Sequence, residues 1–220
     1  MLRRVPLLLA ALFLTAQSAP PAAPQPSSIV ATAGTPPAVI MSYAGRNAAV
    51  QHYTFDVDAR IALLTFPWIR FTLHGHGSYT RGGEYSVHFD DVPWFGKGYE
   101  TMPMSALDVS NWTSMYTMSV AGSQGNATVL SMHDVKKSNL VEARAQVDPA
   151  QGLLQILWSY DYGGHVKLTI VPQSVDGLYF PGSEEAEIVM PHYRAMAWAT
   201  FSNYQLAMRS PASLNVTGKR

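Results

Sequence analysis

Cysteine is absent from the 220 residues of this chain. That excludes a disulfide framework, thiolate chemistry and a lipid-modified cysteine at a mature N-terminus. Charge is scarce: 14% of residues are Asp, Glu, Lys or Arg, against about 25% in ordinary soluble proteins. Fifteen basic residues balance fifteen acidic ones. No basic footprint exists for a nucleic-acid partner, and none is expected. Recognisable catalytic motifs are missing too. Gly122-Ser123-Gln124-Gly125 is a turn, not the strand-to-helix elbow that exposes a nucleophilic serine. Gly75-His76-Gly77 opens no helix and so makes no phosphate cradle. The chain reads as a non-enzymatic protein without a cofactor.

What is present begins with a leader. Arg3-Arg4 precede the apolar run Leu7 to Leu14, and Ala16-Gln17-Ser18 is a small-x-small cleavage site. The run is well short of the roughly 20 residues that a membrane span needs, and no later stretch is long enough. Residues 1–18 are therefore expected to be a signal peptide that sends the protein to the periplasm. Cleavage removes Arg3 and Arg4 and leaves thirteen basic against fifteen acidic residues, a net −2. Residues 19–36, rich in Pro, Ala and Ser, read as a linker. Residues 37–208 read as one domain and 209–220 as a frayed tail.

Within the domain, Val39, Ile40, Tyr43 and Ala44 fall at helical spacing, which predicts a short helix over Pro37–Val50. Alternation then takes over. Tyr53, Phe55, Val57, Ala59 and Ile61 share one strand face, with His52, Thr54, Asp56, Asp58 and Arg60 opposite. Ile69 to Tyr79 and Tyr85 to Phe89 form a hairpin about Arg81-Gly82-Gly83. Matching apolar faces sets Tyr79 against Tyr85, Gly77 against Val87, Gly75 against Phe89 and His76 against His88. The rhythm breaks over 90–111, where Pro93, Gly96, Gly98 and Pro103 predict a lid-like loop with a helical turn or two near Ser105–Val109. Further strands are predicted at 114–120, 128–132 and 141–147. From Val147 to Leu206 come four consecutive strands, with turns at Asp161-Tyr162-Gly163-Gly164 and Asp176-Gly177 and a loop through Pro181-Gly182. Glu184 and Glu185 are expected in that loop, solvated.

About nine strands with one apolar face stand against two short helices. A sheet that wide needs a cover. Either it closes on itself as a sandwich or barrel, or it curls strongly around a small helical plug. The order of elements, with Tyr162-Gly163-Gly164, Val175-Asp176-Gly177-Leu178, Pro181, Pro191 and Ala199-Thr200-Phe201-Ser202-Asn203-Tyr204, resembles the periplasmic lipoprotein-carrier superfamily of LolA-like carriers, LolB-like receptors and RseB-like sensors. The resemblance implies an α+β, mostly β fold: a strongly curved antiparallel sheet, or incomplete β-barrel, with a short N-terminal helix and a helical lid. It also implies an apolar cavity that shields acyl chains. Such carriers latch the lid with a strand arginine, and no motif aligns Arg60 or Arg70 with it.

The resemblance makes the expected partner a lipid or an acylated lipoprotein. Each buried methylene of an acyl chain contributes about 0.8 kcal/mol, so a carrier needs broad apolar area. The expected ligand-facing residues are Phe55, Val57, Phe71, Leu73, Tyr116, Met118, Ile156, Trp158, Leu168, Ile170, Met196 and Trp198. Two alternatives stand beside this reading. The same sheet could bind another envelope protein as an interaction or sensor module. On the polar face, His74, His76, His88 and Asp90 could bind zinc or copper, against the simpler reading of a solvated surface.

Overall fold

In the computed structural model, the structure describes residues 37–93, 100–104, 107–136 and 139–209. The expected leader, linker and most of the tail lie outside them. Val39 and Ile40 are buried on one face of helix α1 (Ala38–Arg46), and Pro37 supplies the residue before its first turn. The helix stops four residues short of the predicted end, and by Val50 the chain is already strand. Eleven antiparallel strands follow: β1 (Val50–Leu63), β2 (Arg70–Thr80), β3 (Tyr85–Phe89), β4 (Thr101–Pro103), β5 (Tyr116–Gln124), β6 (Ala127–Asp134), β7 (Leu140–Asp148), β8 (Gly152–Tyr160), β9 (His165–Val175), β10 (Leu178–Met190) and β11 (Tyr193–Met208). Between β4 and β5 lie a 3-10 turn (Val109–Asn111) and a single-turn helix, α2 (Trp112–Met115). Residues 105 and 106 of the helical turn predicted at 105–109 lie outside the described residues, and the described helical turns run over 109–115.

All eleven strands form one sheet in the order β4-β3-β2-β1-β11-β10-β9-β8-β7-β6-β5. Every link but one joins sequence neighbours. The exception is β1 against β11, which zips Val50–Leu63 onto Ala195–Met208 in the middle of the sheet. The edges β4 and β5 do not pair, so the barrel stays open. The curvature is strong. The Trp158 indole of β8 comes close enough to the Tyr116 hydroxyl of β5 to stabilise its charged form, although strands three apart in a flat sheet would be about 14 Å apart.

Alternation decides which residues enter the concave interior. Phe55, Val57, Ala59, Ile61 and Leu63 of β1 are buried, as are Leu130 and Met132 of β6, Ala143, Ala145 and Val147 of β7, and Val166, Leu168 and Ile170 of β9. A bulge between Leu140 and Glu142 leaves Val141 exposed, outside the stripe the alternation predicts. The β2–β3 register is the expected one: Tyr79 opposes Tyr85, Gly77 opposes Val87, Gly75 opposes Phe89 and His76 opposes His88.

In that hairpin the ring of Phe55 on β1 covers Gly77. A Cβ built on Gly77 would lie 1.9 Å from the Phe55 ring. The ring cannot step aside, because it packs on Tyr85, Phe201 and Tyr204. Gly77→Ala is therefore expected to cost about 1–3 kcal/mol through overpacking, read as a lower urea midpoint with an unchanged slope.

The predicted Pro181-Gly182 loop is a strand instead. Pro181 opposes Pro172 at a bulge that ends at Ser183. A bulge is where a residue without an N–H can sit inside a sheet, and it lets β10 run on to Met190.

Candidate functional site

The concave side is roofed by α1, the 3-10 turn and α2. Trp112, at the start of α2, is fully buried there, with its ring edge-on to Tyr116 at 6.3 Å. Tyr43 and Arg46 at the end of α1 rest on the β7–β8 turn at Gly152. A Cβ at that glycine would meet both side chains at 2.4 Å, and its φ of +95° is one that residues with side chains rarely adopt. Arg46 donates to the carbonyls of Gln151 and Ala150.

Under α1 the interior narrows to a pocket of about 110 Å³. Its walls come from distant parts of the chain: Tyr43 and Arg46 of α1, Tyr53 of β1, Tyr79 and Arg81 from the end of β2, Tyr85 of β3, Asp108, and Phe180 and Glu184 of β10. The tyrosines form one aromatic network. The Tyr53 ring centre lies 4.9 Å from Tyr79 and 5.1 Å from Phe180, and Phe180 lies 5.0 Å from Tyr204. Tyr204 donates to the Pro181 carbonyl at 2.9 Å. Burial raises the phenol pKa of Tyr43, Tyr53, Tyr85 and Tyr204, so these hydroxyls stay neutral.

Glu184 is the residue that the sequence misplaced most. Only Glu185 is solvated. Glu184 is 6% exposed, and its Oε1 has no hydrogen-bond partner. Burial raises its carboxyl from an ordinary 4.5 to about 7. The available signal was parity: Ala186, Ile188 and Met190 point inward, and stepping back two residues reaches Glu184.

Of the twelve expected ligand-facing residues, ten lie on the concave side. Phe55, Val57, Leu73, Tyr116, Ile156, Leu168 and Ile170 are buried there, and Phe71, Met118 and Trp158 pack against them half-buried. Met196 and Trp198 do not join them. They oppose Ala62 and Arg60 across the β1–β11 ladder, on the convex face. Trp198 stacks under the Arg60 guanidinium at 5.1 Å and donates to Glu185 at 3.1 Å. Ala195, Ala197 and Phe201 take the inward positions of β11. Arg60 is thereby held away from the roof.

On the same convex face the histidines pair with aspartates rather than gather. His74 bonds Asp58. His76 bonds Asp56 at 2.7 Å and sits 3.5 Å from Asp90, and His88 bonds Thr101 at 2.9 Å. Asn203 also donates to Asp56, and this bond, with that of His76, holds the Asp56 carboxyl below its usual range. Among the described residues no three His, Asp or Glu side chains come together as a cage for a metal ion.

No family model and no curated protein sequence matches the chain. Solved structures do. A LolA superfamily protein from Nitrosomonas europaea matches with a TM-score of 0.57 at 10% identity, over 80% of this chain and 95% of that one. A DUF1329 family protein from Desulfovibrio piger matches with a TM-score of 0.57 at 12% identity, over 82% and 97%. A putative outer membrane lipoprotein-sorting protein domain from Vibrio parahaemolyticus matches with a TM-score of 0.56 at 10% identity, over 80% and 95%. At such identities the likeness is one of fold, and it spans nearly the whole of each neighbour. The chain thus shares an open, curved half-barrel fold with these three structures, a LolA superfamily protein among them.

Proposed function

We propose that this is an exported, non-enzymatic periplasmic protein. Its domain over 37–208 binds or shuttles an apolar guest, an acyl chain of a lipid or lipoprotein, in the concave face of the sheet. The observation that carries the reading is the roof. Among the described residues, an eleven-stranded apolar concavity is covered by little more than α1, one 3-10 turn and four residues of α2, across a gap that no strand pairing closes. The names of the neighbours point the same way, since one is a LolA superfamily protein and another a putative lipoprotein-sorting domain.

The pocket of about 110 Å³ is too small for a long acyl chain, because Trp112, Ile156 and their neighbours fill the rest. Loading therefore requires the roof to lift and the guest to replace Trp112. Lipid extraction and native mass spectrometry of the purified protein test this. Co-purifying lipid, and a change in tryptophan fluorescence when fatty acid is added to stripped protein, are the expected results. Stripped protein that ignores both fatty acid and phospholipid overturns the reading.

One observation favours the interaction-module reading as a second function. The β1–β2 hairpin tip exposes Leu64, Phe66 and Trp68, the last at 77%, with the two rings 5.8 Å apart. An apolar tip of this kind suits an envelope partner or the headgroup region of a bilayer. Trp68→Ala is expected to weaken sedimentation with envelope vesicles while leaving fatty-acid uptake unchanged. Loss of neither would remove the tip from the account.

A further inference from the structure

The pocket under α1 holds a group that acyl-chain binding does not use. Glu184 is more than nine-tenths buried, lines the pocket, and presents an acceptor oxygen with no donor. A buried acceptor left unsatisfied costs free energy that a ligand donor recovers. We infer that this pocket seats a primary ammonium head, with Glu184 accepting its N–H and the tyrosine walls surrounding it. The inference deepens the reading above: it rests on an apolar guest entering the concavity and states which head that guest carries.

Three features select this chemistry. First, among the described residues no cation answers Glu184. Arg46 and Arg81 line the same pocket, but Arg46 is turned to the Ala150 and Gln151 carbonyls and Arg81 to those of Val50 and Asn47. Burial is what raises the Glu184 carboxyl. Second, the walls are aromatic. Tyr43, Tyr53, Tyr79 and Tyr85 offer ring faces that attract a cation and neutral hydroxyls that can accept the remaining N–H groups. Third, the orphaned atom is an acceptor, so it needs a donor. A primary ammonium has three N–H groups and a quaternary one has none. A carboxylate head would meet two guanidiniums, but would also set a second anion against Glu184. The volume of about 110 Å³ suits a head and a few methylenes, with the rest of a longer guest continuing into the concavity.

The test compares three six-carbon ligands that differ only in the head: hexylammonium, 1-hexanol and hexanoate. Each is titrated calorimetrically at pH 8 into the full mature chain. Hexylammonium is expected to bind at least about ten-fold tighter than hexanol, as a charge-assisted hydrogen bond implies. Glu184→Gln abolishes that preference, and Glu185→Gln, on the exposed neighbour, keeps it. Equal affinity for the alcohol, tighter binding of hexanoate, a preference that survives Glu184→Gln, or no binding of hexylammonium overturns the inference. If Glu184→Gln fails to fold, the three-ligand comparison on the unsubstituted protein decides alone. Palmitate uptake, measured in parallel, reports on the carrier reading. Palmitate bound without any hexylammonium preference defeats only the ammonium site, and the reverse result defeats only the acyl-chain carrier.

Discussion

Trp112→Ala is expected to lower the free energy of unfolding by about 3–5 kcal/mol, the range for emptying a buried tryptophan site. The residue has no measurable exposure, and it enters the interior from the segment that crosses the open side between β4 and β5. No strand pairing backs that segment, and its described residues Met104, Val109 and Trp112 anchor it by burial. Tyr116 lies against the indole, and the buried cluster it joins is made of sheet residues such as Leu130, Met132 and Ile156, held in register by their ladders. They cannot collapse far into the vacated space. Urea denaturation measures the loss. Trp68→Ala is the control, because an exposed residue without buried contacts stays within about 0.5 kcal/mol. A Trp112→Ala cost under about 1 kcal/mol would mean that the indole is not what fills the half-barrel. The same variant tests function from the other side. If a guest takes the place of Trp112, the variant takes up fatty acid more readily than the natural protein under conditions where both stay folded.

The second large effect is on pH dependence. The Glu184 carboxyl is raised by burial from 4.5 to about 7 in the folded chain. An acid with a raised folded pKa binds its proton more tightly when folded, so stability is highest where it is protonated in both states. It then falls as pH rises from about 4.5 to about 7 and levels off above that. The displacement corresponds to about 3 kcal/mol. The ligand-free protein is therefore expected to be less stable at pH 8 than at pH 4.5 by that order. Glu184→Gln, which stays neutral, should flatten the slope and be the more stable protein at pH 8. The carboxyls lowered in the fold, Asp56 and Glu142, act in the opposite sense and at lower pH, where their stabilising contribution is lost on acidification. Unfolding midpoints across this range, on both proteins, carry the measurement. A slope that persists in Glu184→Gln would assign it to another group.

The two effects concern neighbouring parts of one device. Trp112 fills space inside the half-barrel, and Glu184 leaves a buried acceptor without a partner in the pocket under α1.

Much of this was legible in the residues alone. The mostly-β fold follows from alternation repeated along the chain, and the β2–β3 register follows from matching apolar faces across a short loop. Both are local, and a slip of one residue would turn every side chain to the wrong face. The placement of Phe55, Val57, Leu73, Ile156 and Leu168 inside the half-barrel came from the same parity. Parity misled where both faces of a strand are apolar. On β11 the larger side chains, Met196 and Trp198, look like the buried set, yet Ala195 and Ala197 are the ones inside. Trp198 can lie outside because Arg60 and Glu185, from two neighbouring strands, stack on its ring and accept its N–H.

Only the tertiary structure could decide the rest. Pairing β1 with β11 joins residues some 150 positions apart, and closing so long a loop leaves no mark in any local pattern. The tyrosine-walled pocket draws on α1, β1, β2, β3 and β10 at once. Glu184 became its centre because a bulge at Pro181–Ser183 carried β10 through what reads as a turn. Local alternation set which way each strand faces. The meeting of distant strands, driven by burial of the whole concave surface, set which of those faces enclose a site.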